Sequence, residues 1–106
     1  MIKPIGKTIL LTVSTASATV SLTSTAGQPV NGVLVSNLTS GVAAYATVSL
    51  TSATVVAPTT SVAQGLVPVL GLNVAEIGLQ AAANSSTVWV NAIADGAGTL
   101  ALTPLF

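Results

Sequence analysis

The sequence has no cysteine and no histidine, and among its 106 residues only two side chains are basic and two are acidic. Without cysteine the chain can build neither a disulfide framework nor a thiol nucleophile. Without histidine it lacks the side chain that ordinarily titrates near neutral pH. Soluble domains usually have about a quarter of their residues charged, and a net charge near zero promotes association. We therefore expect a chain whose faces meet other protein copies.

Nucleic acid and membranes are poor partners for such a chain. Lys3 and Lys7 are the only basic residues, and no basic stripe follows them to meet a phosphate backbone. Polar residues interrupt every apolar run before it reaches the ~18 residues of a transmembrane helix. An apolar stretch at 9–11 before Ala-Ser-Ala at 16–18 weakly resembles a secretory leader, but the stretch is too broken for one. We expect no nucleic-acid partner, no membrane contact and no leader.

The groups available for chemistry are few. Glu76 falls on the polar side of an alternating segment, which is typical of an exposed or edge-protecting charge. Asp95 precedes Gly96, where its side chain can accept a hydrogen bond from the backbone two residues on. Two carboxylates are too few to build a stable metal site, and no Ser or Thr has a His to activate it. We expect no catalysis, no cofactor, no metal and no small-molecule substrate.

Period-two alternation of Val and Thr with other residues recurs along the chain and predicts an all-β fold. Turn signals separate the strands every 8 to 12 residues or so, which suits a β-sandwich or jelly roll in one domain covering 1–106. We interpret 51–65 as a loop and 81–83 as one helical turn at most. The eight expected strands cover 7–13, 18–23, 30–37, 43–50, 66–72, 74–80, 87–93 and 99–103.

Alternation also predicts which side chains face inward. In the fourth strand the residues expected on the core side are Ala44, Ala46, Val48 and Leu50, and those expected on the outer side are Tyr45, Thr47 and Ser49. The segment 66–70 is apolar on both sides, but Pro68 has no N–H to donate to a ladder. We therefore expect its strand at a sheet edge, where an apolar edge invites a partner.

Five residues are candidates for an interface. Trp89 alternates with two valines, so it is either the largest member of the core, with the valines outward, or an exposed anchor. Leu105 and Phe106 end the chain and either dock on a neighbouring subunit or fold back onto their own sheet. With the apolar edge strand included, the candidate interface residues are Trp89, Leu105, Phe106, Val67 and Val69.

Two triplets, Asn37-Leu38-Thr39 and Asn84-Ser85-Ser86, fit the N-glycosylation sequon. Such triplets arise easily by chance in a chain this rich in Ser and Thr. We interpret both as chance matches.

Four segments carry a resemblance to a known family. They are Ile-Lys-Pro-Ile-Gly-Lys-Thr at 2–8, Val-Leu-Val-Ser-Asn-Leu-Thr-Ser-Gly at 33–41, Val-Pro-Val-Leu at 67–70, and the stretch 89–104 that opens with Trp-Val-Asn-Ala-Ile. Together they resemble small virion proteins of tailed bacteriophages, of the head decoration or cement type. The segment 51–65 has no counterpart in that pattern.

The resemblance implies a small β-sandwich or jelly roll on the outer surface of the virion's capsid. Its expected partners are the major capsid protein and copies of itself, and it would strengthen the shell against packaged DNA. No functional residues carry over, because such proteins have no active site. Two alternatives stay open: a structural component of a phage tail or neck, and an extracellular surface-binding module such as an adhesin or ice-binding domain.

Overall fold

The computed structural model describes residues 4–56, 66–78 and 85–106, and these residues form an all-β protein. This confirms the predicted fold class of about eight short strands. A short 3-10 helix at Thr25–Gly27 joins the second strand to the third. The helical turn expected at 81–83 lies outside the described residues. The strands are β1 Ile9–Val13, β2 Ala18–Thr23, β3 Gly32–Asn37, β4 Ala44–Ser49, β5 Val67–Val69, β6 Val74–Gly78, β7 Thr87–Ala94 and β8 Gly98–Leu105.

The strands form two four-stranded antiparallel sheets. Sheet A has the order β1-β8-β3-β6 and sheet B the order β2-β7-β4-β5. Four of the strand pairs are those of one long hairpin: β1 with β8, β2 with β7, β3 with β6, and β4 with β5. That hairpin is wrapped so that β8 also meets β3 and β7 also meets β4. This wrapping is the topology of a jelly roll.

The core lies between the two sheets and is built from aliphatic side chains at alternate positions. Ala44 and Ala46 are fully buried while Tyr45 between them is not, as the alternation predicts. Leu50, which was expected on the same side, is 44% exposed because it lies just beyond the end of β4. Burying a Val or Leu side chain contributes about 1.5–3 kcal/mol, so this layer supplies most of the stabilising free energy. Its fully buried larger members are Val13, Leu22, Val30, Val33, Val35, Val69, Val88, Val90, Leu100 and Leu102.

Strand β5 lies at the edge of sheet B, which confirms the prediction made from Pro68. The strand is shorter than the predicted 66–72 because the chain turns directly after Val69. The backbone N–H of Asn73 donates to the carbonyl oxygen of Leu70 at 3.0 Å and closes that turn. The chain then crosses to sheet A and enters β6.

Asn37, at the end of β3, links the two sheets. Its side-chain amide donates to the carbonyl oxygens of Val42 (2.7 Å) and Val69 (3.0 Å), and only 2% of the residue is exposed. An Asn held in this way offers no free amide nitrogen to a glycan in the folded protein. Asn84, the acceptor of the second sequon, lies outside the described residues.

Candidate interaction surfaces

Trp89 lies on the outer face of sheet B. Val88 and Val90 are fully buried in the core, so the alternative that placed the indole there, with the valines outward, is wrong. Trp89 is half-buried at the centre of its face, and the register places it between Ser21 on β2 and Ser49 on β4. An aromatic ring flanked by two small polar side chains keeps part of its surface open. Its role as an interface anchor stays a prediction.

The chain end folds back onto its own sheet. Leu105 is the last residue of β8, pairs with Gly32 on β3 and bridges to Pro4 on its other side. Only 5% of Leu105 is exposed, whereas Phe106 is 41% exposed. Leu105 therefore belongs to the interior of the fold, and of this pair only Phe106 exposes much of its side chain.

The apolar edge strand β5 likewise turns its valines inward. Val69 is 1% exposed and belongs to the core, and Val67 packs partly buried against the same cluster. What β5 offers to a partner is its backbone edge and the exposed ring of Pro68. The predicted residues thus do not form one surface: Trp89 lies on the sheet B face and Phe106 at the end of β8 in sheet A.

A small apolar cavity adjoins Phe106. It has a volume of about 150 Å³, and Leu105, Gly32 and Gly78 are among the residues that line it. A Cβ atom on Gly32 would lie 3.0 Å from the carbonyl oxygen of Ile77, so glycine suits the close approach of β3 to β6 there. A cavity of this volume holds a group about the size of benzene.

The segment 51–56 covers part of the outer face of sheet B. Asn91 on β7 points to that face, yet it is fully buried. Its amide oxygen accepts hydrogen bonds from the Ala53 N–H (2.9 Å) and the Thr19 hydroxyl (2.8 Å). The Val55 N–H donates to the Ser17 hydroxyl at 3.0 Å. The described part of the predicted loop 51–65 is therefore an ordered non-strand segment fixed to its own sheet.

At the end of the sandwich where loops 38–43 and 70–73 meet, three leucines are exposed. We call Leu38, Leu70 and Leu72 the loop-end cluster; they are 52%, 59% and 66% exposed. A Cβ atom on Gly71 would lie 2.9 Å from the Thr39 carbonyl oxygen, which shows how closely the two loops approach. Sequence reasoning missed this cluster because it placed Leu70 and Leu72 inside a strand.

Leu72 takes a left-handed backbone conformation, with φ of 61°. Turns that need positive φ at their third residue normally place Gly or Asn there. In this turn the glycine is needed one position earlier, at Gly71, where any Cβ would meet the backbone of loop 38–43. The position with positive φ is therefore occupied by Leu72, whose side chain is exposed to solvent. The residues Gly71 and Asn73 on either side were the available signal for a turn here.

The described charges lie on the surface, away from one another. Glu76 is exposed on β6, an edge strand of sheet A, as the edge-protecting interpretation expects. Lys7 is exposed just before β1, the opposite edge strand. The Asp95 carboxylate accepts a hydrogen bond from the Ala43 N–H at 3.0 Å, so it fastens the neighbouring loop to its own turn. The sequence predicted that the Asp95 side chain accepts a hydrogen bond from the backbone two residues further on, whereas the observed donor is the Ala43 N–H.

The chemistry of the surface is correspondingly limited. In the part of the chain that the structure describes, no group of three or more His, Cys, Asp or Glu side chains could hold a metal ion. The same residues include no helix with the length and apolarity needed to cross a bilayer. A scan against models of known families, a search of curated proteins and a search of solved structures each found no match.

Proposed function

We propose that this chain is a structural virion protein that decorates the outer face of a tailed-phage capsid. The observation that carries the proposal is the loop-end cluster of Leu38, Leu70 and Leu72 on a protein with almost no charge. Exposed apolar side chains grouped at one end of a domain are typical of a docking surface. The expected partner of that end is the major capsid protein.

The backbone around the cluster favours a rigid contact. The Asn37 side chain ties loop 38–43, at Val42, to the end of β5 directly before loop 70–73. The Asn37 N–H also donates to the Asn73 carbonyl oxygen at 2.9 Å. A loop fixed in this way loses little conformational entropy when it docks. The strained φ of Leu72 adds to this argument, because such outliers concentrate at functional sites.

The residues around the loop-end cluster indicate which interactions the proposed contact would use. Among the described charged residues, Asp95 adjoins loop 38–43, and its carboxylate is already engaged by the Ala43 N–H. Binding would therefore rest on apolar burial and on hydrogen bonds of backbone and hydroxyl groups. A stiff jelly roll that bridges capsid subunits through such contacts would reinforce the shell.

The test uses shells of the phage that encodes the chain, prepared without this protein. Purified protein is added back, binding is measured by co-sedimentation, and the position of bound protein is determined by electron microscopy. We expect saturable binding and density on the outer face of the head. Density at the tail or neck, or no binding to heads, would overturn the proposal.

Three lysine substitutions locate the contact. Leu38→Lys and Leu70→Lys place a charge in the loop-end cluster and should abolish shell binding, because an ammonium group resists desolvation. Leu50→Lys is the matched control, since Leu50 is 44% exposed but follows β4 at the opposite end of the sandwich. It should bind like the unmodified protein. Equal binding by all three variants would rule out this surface.

A further inference from the structure

The two edges of sheet A present matching apolar side chains. Leu10 on β1 and Val74 on β6 are 64% and 61% exposed. The register places both in one row across the sheet, with Leu10 opposite Ala101, Ala101 opposite Ser36, and Ser36 opposite Val74. Both side chains point to the outer face. Sheet A thus carries an exposed aliphatic group at the same level on each of its two free edges.

The next outward-facing row ends in Glu76 at one edge and in Thr8 at the other, and Lys7 lies one residue beyond Thr8. Glu76 pairs with Leu34, and Leu34 pairs with Thr103. The Thr103 hydroxyl is hydrogen bonded to that of Thr8 at 2.8 Å, and Lys7 directly precedes Thr8. Three strand spacings of about 4.8 Å separate the two edges, so Lys7 and Glu76 are roughly 14 Å apart across one sheet. They cannot form an ion pair within one chain.

Strand direction makes the two edges compatible. Strand β1 is antiparallel to β8, β8 to β3, and β3 to β6. Strand β6 therefore runs antiparallel to β1. A second copy placed beside the first in the same orientation brings its β1 antiparallel against β6, which is the arrangement that a continuing antiparallel sheet requires.

We propose that β6 of one copy pairs with β1 of the next, so that sheet A continues from chain to chain. In the matching register Val74 of one copy lies opposite Leu10 of its neighbour. Glu76 then lies opposite the neighbour's Thr8, next to its Lys7. A charge on an edge strand normally prevents pairing. Here an acid on one edge and a base on the other disfavour β6–β6 and β1–β1 contacts and favour β6–β1.

This contact is head-to-tail. Each copy uses two different surfaces, so the pairing produces a closed ring or an open filament and not an isolated two-fold dimer. The proposal goes beyond capsid decoration and does not depend on it, because β1 and β6 contribute no residue to the loop-end cluster. A protein that never touched a capsid could assemble in the same way.

Two variants block one edge each. Leu10→Lys places an ammonium group on the β1 edge, and Val74→Lys places one on the β6 edge. Sedimentation velocity at millimolar concentration should show assemblies for the unmodified protein and monomers for each variant alone. An equal mixture of the two variants retains one intact β6 and one intact β1, and should form a heterodimer and nothing larger. Circular dichroism melts check that both variants are folded.

Leu38→Lys is the matched control, since it adds the same group to an exposed leucine away from both edges. It should assemble like the unmodified protein even where it fails to bind shells, which separates this proposal from the capsid proposal. An unmodified protein that stays monomeric would overturn the edge pairing. So would assembly by either edge variant alone, or a mixture that remains monomeric.

The charge pair provides a second test. Lys7→Glu makes both edges acidic and Glu76→Lys makes both basic, so each alone should associate about three- to fivefold more weakly. The double variant exchanges the charges and should recover the association of the unmodified protein. Failure of the double variant to recover, with its fold intact, would contradict the assigned register.

Discussion

The amide oxygen of Asn91 accepts a hydrogen bond of 2.9 Å from the backbone N–H of Ala53, and this contact holds segment 51–56 on sheet B. The Asn91 amide nitrogen donates to the Ser49 hydroxyl at 2.9 Å, and that hydroxyl donates to the Thr51 carbonyl oxygen at 2.5 Å. One buried side chain thus organises the departure of the chain from β4. The outer face of β7 is covered at this point, and at Trp89 it remains partly open.

Replacing Asn91 with Ala should lower the free energy of unfolding by about 2 kcal/mol, because it leaves the Ala53 N–H without its partner. Segment 51–56 should also lose protection from amide hydrogen exchange. Urea unfolding and exchange mass spectrometry measure the two effects. Thr47→Ala, on the neighbouring strand of the same row, is the control and should change stability by less than about 0.5 kcal/mol. Unchanged protection at 51–56 in Asn91→Ala would show that other contacts hold the segment.

A second prediction concerns Asn37, whose side chain joins the end of β3 to the carbonyl oxygen of Val69 on β5. Asn37→Ala removes three side-chain hydrogen bonds, two donated by the amide nitrogen and one accepted by the amide oxygen from the Thr39 N–H, which should reduce stability by about 2–3 kcal/mol. The loss should appear as a lower midpoint in urea with an unchanged slope. Ser36→Ala, on the outer face next to it, is the control. A loss no larger than that of the control would show that the two sheets do not depend on this link.

The sequence was sufficient to predict the number of strands and many of their inward-facing residues, because both follow from a local period of two; the end of β5 and the exposure of Leu50, just beyond β4, did not follow from it. Ala44, Ala46 and Tyr45 lie where alternation places them. Pro68 allowed the edge position of β5 to be predicted, because a residue without a backbone N–H disfavours a central strand. The orientation of Trp89 could not be decided locally, since an indole fits both a core and an interface.

The interface residues were harder to predict because exposure depends on what the rest of the chain covers. Val69 and Leu105 look available in sequence, yet each is buried by neighbours distant in the chain. Leu72 looks like a strand residue, but it lies in a turn in which Gly71 closely approaches loop 38–43. The burial of Val69 and Leu105 by distant segments leaves no pattern in a single sequence, whereas Gly71 and Asn73 were a local signal for the turn at Leu72.

The left-handed Leu72 leads to a third prediction, in which stability and binding change in opposite directions. A leucine in this conformation costs about 1–2 kcal/mol, and a glycine there is free of that strain but loses more backbone entropy on folding. Leu72→Gly should therefore raise the free energy of unfolding by about 0.5–1 kcal/mol. Because the exposed side chain is removed, its affinity for capsid shells should fall.

Leu70→Gly is the comparison for this experiment. Leu70 is 59% exposed in the same turn and has no positive φ, so its replacement should weaken both stability and shell binding. Thermal melts and co-sedimentation measure the two quantities. If Leu72→Gly destabilised the protein as Leu70→Gly does, the strain assigned to Leu72 would be refuted.

The two proposed contacts should respond differently to salt. Shell binding through the loop-end cluster involves no ion pair, so raising sodium chloride from low to physiological concentration and beyond should change its Kd by less than about threefold. Edge pairing between copies brings Glu76 close to Lys7 of the neighbour, so self-association should weaken measurably over the same series. Co-sedimentation with shells and sedimentation velocity of the protein alone, in matched buffers, give both curves. A steep loss of shell binding with increasing salt would show that charged groups contribute to that binding. Self-association that does not change with salt would show that Lys7 and Glu76 do not contribute to the edge contact.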